Sequence, residues 1–125
     1  MTTFTREDFE FAAKAAGVRI AWCDVFNMML RVDKPPGTDG GLEEWNPPEC
    51  GEDSHRLQVK LGLSIEPYPI YDQEKHSVVV KQRRRTDLMR EVNQTEVVEP
   101  YGDNPYRATR HAVFRCAIAI GRAML

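Results

Sequence analysis

Apolar positions near the N-terminus recur at helical spacing. Phe9, Ala12, Ala13 and Ala16 follow Thr5, and Asp8 three residues on makes a loose capping box with it. Gly17 supplies a stop, so the pattern predicts a first helix from about Arg6 to Ala16. Val18-Arg19-Ile20-Ala21-Trp22 alternates and predicts a strand. Val25 to Val32 suits either a strand or the end of a short helix. Lys34-Pro35-Pro36-Gly37-Thr38-Asp39-Gly40-Gly41 is a run of breakers and predicts a surface loop.

Trp45-Asn46-Pro47-Pro48 is excluded from a helix interior, because each proline removes a donor and restrains the residue before it. A short helix starting at Asp53 or Ser54 passes through Leu57 and Leu61 and closes at Gly62. Leu63 to Pro67 reads as a strand, and so does Ser77 to Lys81, the segment richest in β-branched residues. Glu96-Val97-Val98 suggests one more strand, and a last helix opens at Asn104 and runs nearly to the C-terminus. This order predicts one α+β domain over residues 1–125. Its sheet is mostly antiparallel, with helices packed on it and both faces at least partly covered, an αβα sandwich.

At 100° per residue, the last helix separates two faces. Ala112, Val113, Cys116, Ala119, Ile120, Ala123 and Met124 form a broad apolar side, with Tyr106 at its edge. Arg107, His111, Arg115 and Arg122 cluster opposite, with Arg110 just beyond. A helix start rich in arginine can hold a phosphate through its charges and its first backbone N–H groups. The same face can equally be a solvated surface whose arginines pair with nearby acids.

The formal net charge of -2 argues against a non-specific nucleic-acid binder, which carries a strong basic excess. The basic residues are nonetheless bunched at Lys81-Gln82-Arg83-Arg84-Arg85 and on the last helix, while Asp39 to Glu52 is acidic. Alternation would place Lys81, Arg83 and Arg85 on one side of a strand and Gln82 and Arg84 on the other. If the chain turned there, the run would become a basic loop able to close on a ligand. Glu43, Glu44, Glu49, Glu52 and Asp53 read as a solvated flank and a helix first turn. No apolar run approaches the length of a membrane span, and no secretory leader is evident, so a cytoplasmic location is expected. Cys23, Cys50 and Cys116 are odd in number and widely spaced, which fits reduced thiols.

Two blocks carry a resemblance. Trp45-Asn46-Pro47, followed after a short turn by Asp53-Ser54-His55-Arg56-Leu57-Gln58-Val59-Lys60-Leu61-Gly62-Leu63, resembles a motif of the phage ABA-sandwich domain family. Asn104-Pro105-Tyr106-Arg107-Ala108-Thr109-Arg110-His111-Ala112-Val113 resembles a second block of the same family. The resemblance implies a small phage-encoded protein with a sheet sandwiched between helices, and it implies no particular reaction.

Candidate chemistry follows from the arginines and aromatics. Arg107, Arg110, Arg115, Arg83, Arg84 and Arg85 are the candidate phosphate contacts, and Tyr101 and Tyr71 the candidate stacking groups. Trp45 reads either as a stacking group or as a plug seating its loop on the core. Cys50, Asp53 and His55 lie close together but lack a zinc-type spacing, so no metal or other cofactor is expected. The glycines lack the strand-to-helix context of a phosphate loop, and nothing marks a nucleophile. The function expected is therefore non-enzymatic. A phage counter-defence protein would bind a nucleotide-derived immune signal in the infected bacterial cytoplasm and sequester it without turnover, as a homo-oligomer whose interfaces deepen the cleft. Two alternatives stay open: inhibition of a host enzyme through the acidic segment Asp39 to Asp53, and enzymatic degradation of the same kind of signal.

Overall fold

A computed structural model describes residues 4–32, 43–67, 77–85 and 91–124, with 83–85 and 91–95 as backbone. The chain runs α1 (Arg6–Ala16), β1 (Ile20–Cys23), β2 (Met28–Arg31), β3 (Glu43–Glu44), α2 (Gly51–Leu61), β4 (Leu63–Pro67), β5 (Ser77–Arg85), β6 (Glu91–Pro100) and α3 (Pro105–Ala123). It is an α+β fold in which three helices pack with two antiparallel sheets, in the orders β1-β2-β3 and β4-β5-β6.

Thr5 starts α1 through a complete capping box. Its hydroxyl accepts from the Asp8 N–H at 3.1 Å, and the Asp8 carboxylate accepts from the Thr5 N–H at 2.9 Å. Ala12, Ala13 and Ala16 are buried, and the helix ends at Gly17 in the left-handed conformation (φ 70°). Small side chains let α1 come close to α3. At the tightest point a Cβ built on Gly121 would lie 1.9 Å from the Phe11 carbonyl oxygen, so only glycine fits there.

Asn104 caps α3, its side-chain oxygen accepting from the N–H groups of Tyr106 and Arg107 at 3.1 Å each, and Pro105 sits in the first turn. The middle of α3 is buried around most of its circumference: Val113, Phe114, Cys116, Ala117, Ile118 and Gly121 are all inside, while Arg115 is partly buried and Ala119 exposed. This corrects the two-faced reading. Ala119, Ala123 and Met124, assigned to the core, are exposed, while His111, assigned to the polar side, is buried. The reason is that α3 lies between β5 and β6 on one side and α1 and α2 on the other, so it has two contact faces rather than one. Tyr106, expected at the core edge, is 78% exposed because it lies about 200° round the helix from Ala108, which is buried.

In the second sheet, β5 pairs with both neighbours, Val80 facing Ile65 on one side and Val97 on the other. Val78 and Val80 join the core cluster beside α3, and Val79, on the other face, is buried as well. Strand β5 is thus covered on both faces. Gln82 continues the core-facing set and is buried, its amide donating to the Leu61 carbonyl at the end of α2 at 3.0 Å. Past Gln82 the register with β6 slips by one residue, so simple alternation ends there. The Lys81–Arg85 run is strand and not a turning loop.

Helix α2 begins at Gly51, earlier than Asp53 or Ser54, because Cys50 is its cap and its carbonyl already accepts from the Ser54 N–H at 3.0 Å. Asp53 is buried, not solvated, and accepts from the Asn46 N–H at 3.0 Å. That bond, with Trp45 at 4% exposure and Pro47 fully buried, seats the 45–50 loop on the core. Trp45 is the plug of the two readings offered for it, with Phe9 and Phe114 packed around its ring.

Candidate functional site

The polar ridge of α3 meets two neighbours, the 45–50 loop and the end of β6. Arg107 donates from Nε and Nη2 to Glu49 Oε1 at 3.2 and 3.0 Å, and His111 Nε2 lies 3.2 Å from the same oxygen. Spacing of four residues on a helix puts Arg107 and His111 one above the other, which lets one carboxylate engage both. Arg110 donates to the Pro48 carbonyl at 3.3 Å. Arg115 pairs with Glu99 and stacks over the Phe4 ring, 5.5 Å from its centroid. Phe4 also meets the His111 ring edge-on at 5.2 Å, so this imidazole is held by an aromatic and a carboxylate together.

The electrostatics follow from this packing. Burial by itself would raise the Glu49 carboxyl. The hydrogen bonds from His111 and Arg107, reinforced by their charges, outweigh it and hold the pKa below its ordinary value. Cys116 behaves oppositely: burial pushes its thiol up to about 11, so it is a packing group and not a nucleophile at neutral pH. Cys23, Cys50 and Cys116 form no disulfide. Among the described residues no group of three or more His, Cys, Asp or Glu side chains is arranged to hold a metal ion.

A groove of about 330 Å³ opens where β6 hands over to α3, lined by Glu99, Pro100, Tyr101, Asp103, Arg107 and His111 among others. Of the sequence-derived candidates, it brings Tyr101 and Arg107 together, with Arg115 behind Glu99. Arg110 points instead to the 45–50 loop. Arg83, Arg84 and Arg85 lie on β5, where the structure gives their backbone, and Tyr71 falls outside the described residues. The acids Glu49 and Asp53 are structural anchors and not a free flank. Sequence reasoning missed Glu49 as the partner of Arg107 and His111, which are 58 and 62 positions away, because no local pattern signals so distant a pairing.

No helix among the described residues is long and apolar enough to cross a membrane. No family model matches the chain, and neither does any curated protein or solved structure.

Proposed function

We propose that this protein binds a small nucleotide-type anion in the groove at the head of α3 and holds it without turnover. The observation that carries the reading is that Tyr101 and Arg107 line one groove. Tyr101, half-buried against the core, is the groove's aromatic group for a base, and Arg107 offers a planar donor fork to a phosphate. The pairing of Glu99 with Arg115 neutralises one of the two acids beside it. A phosphate on Arg107 competes with Glu49, so binding would release part of the hold on the 45–50 loop. A groove of about 330 Å³ lies at the small end for ligand sites. It suits one nucleotide unit, and a larger signal would need a second copy of the chain to close over it.

Joined to the phage-family resemblance of the Trp45–Leu63 and Asn104–Val113 blocks, this supports a counter-defence role in the bacterial host cytoplasm, where the protein sequesters a nucleotide-derived immune signal. Inhibition of a host enzyme through the acidic segment has less support, because Glu49 and Asp53 are engaged in internal contacts.

The test is depletion followed by recovery. Purified protein is incubated with cyclic mononucleotides, cyclic dinucleotides and ADP-ribose derivatives, filtered, then heat-denatured, and both fractions are read by mass spectrometry. Sequestration gives depletion and intact recovery. A chemically altered product identifies an enzyme instead, and no depletion across the panel removes the proposal.

A further inference from the structure

A second cleft, of about 230 Å³, lies away from the α3 groove, between the end of α1, strand β2 and one face of α2. Its apolar wall is Ala16, Val18, Trp45 and Leu57, of which Ala16, Trp45 and Leu57 are almost fully buried. Its polar part is formed by Arg56 and Lys60 with Asp53, and by Arg31, which has an interaction of its own. That single acid is committed, accepting from the Asn46 N–H at 3.0 Å and lying 3.9 Å from Arg56. Arg56 and Lys60 stand one helical turn apart on α2 and so present their charges to the same side. Arg56 also pairs with Glu52, whereas Lys60 makes no ion pair or hydrogen bond among the described residues.

Trp45 bounds the cleft with a ring that is itself packed against Phe9 and Phe114.

We propose that this cleft is a binding site for a small organic anion with a flat apolar body, an aryl carboxylate in chemical class. The apolar wall takes the ring, Lys60 and Arg56 take the carboxylate, and the Trp45 edge bounds the site. A bare inorganic anion leaves the wall uncovered, and a neutral aryl compound leaves the lysine without a partner. The volume suits a ligand of one ring with a short acid arm, smaller than a nucleotide. The site is independent of the α3 groove, and either can fail without the other.

The chain has two tryptophans, so Trp22→Phe leaves Trp45 as the sole indole reporter. Trp22 does not line this cleft. In that background phenylacetate should shift Trp45 emission saturably, while phenylacetamide and inorganic phosphate bind at least tenfold more weakly. Lys60→Gln, on the exposed surface of α2, should weaken phenylacetate about tenfold with an unchanged circular dichroism spectrum, and Arg107→Gln should leave it unaltered. Equal binding of phenylacetamide or phosphate, undiminished binding in Lys60→Gln, or no saturable response to phenylacetate overturns the proposal.

Discussion

Glu49 and Arg107 lie 58 residues apart in the chain and meet through two hydrogen bonds from one guanidinium to one carboxylate oxygen, at 3.0 and 3.2 Å. The contact ties the loop after β3 to the first turn of α3, and His111 reinforces it from the next turn. Both side chains remain close to half exposed, so water screens the pair and its worth is that of a surface ion pair. Glu49→Gln should therefore lower stability by about 0.5–1 kcal/mol, seen as a reduced urea midpoint with an unchanged m-value. Arg107→Ala with Arg110→Ala removes two anchors of the same loop and should cost more. Loss of nucleotide binding in that double variant is consequently to be read only beside its melting temperature.

The lowered Glu49 pKa has a pH signature. A carboxyl whose folded-state pKa is depressed contributes stability above its unfolded value, and that contribution disappears as pH falls through the folded value. The loss should appear below the ordinary value of 4.5. Denaturant midpoints measured from neutral pH down to the acid limb should decline less steeply there for Glu49→Gln than for the parent. Identical slopes would rule out this carboxylate as a contributor.

Gly121 tests how closely α1 and α3 must approach. A methyl group would meet the Phe11 carbonyl oxygen at 1.9 Å, and that oxygen belongs to backbone rather than to a side chain that could swing away. Gly121→Ala should destabilise by about 1–3 kcal/mol or more through forced separation of the helices, despite the better helix propensity of alanine. A thermal midpoint equal to or above that of the parent would contradict the packing described.

Gln82 joins the second sheet to α2. Replacing it with leucine keeps the volume but leaves the Leu61 carbonyl without this donor. The cost should be about 1–3 kcal/mol, and hydrogen exchange should quicken in the last turn of α2 and not in α1. Protection unchanged in α2 would show that water replaces the amide without loss.

Much of the local structure is legible in single residues. Thr5 with Asp8, and the glycines at 17 and 62, mark helix ends that the structure confirms, with φ of 70° and 62° at the two glycines. Leu63–Pro67 is a strand with the bounds the alternation indicates. The division of the strands into two sheets was not legible, because period-two patterning says which face is apolar and nothing about which strand lies alongside. Tyr101 and Arg107 come to one groove because β6 and α3 are joined by a short turn through Gly102, whose φ is 60°. The other candidates scatter, since arginines close in sequence need not be close in space.

The sequence by itself determined both ends of α1, the end of α2 and the start of α3, because caps, glycines and prolines act over a few neighbouring residues, whereas the start of α2 and the full lengths of β5 and β6 were not legible in it. The opening arginines of α3 were visible in the same way. Only the tertiary structure decided what they do. A helix buried between a sheet and two other helices has no single polar face, so His111 turns inward, Arg107 and Arg110 fasten a loop, and Arg115 neutralises Glu99. Such partners are set by packing between distant segments, and no local pattern encodes them.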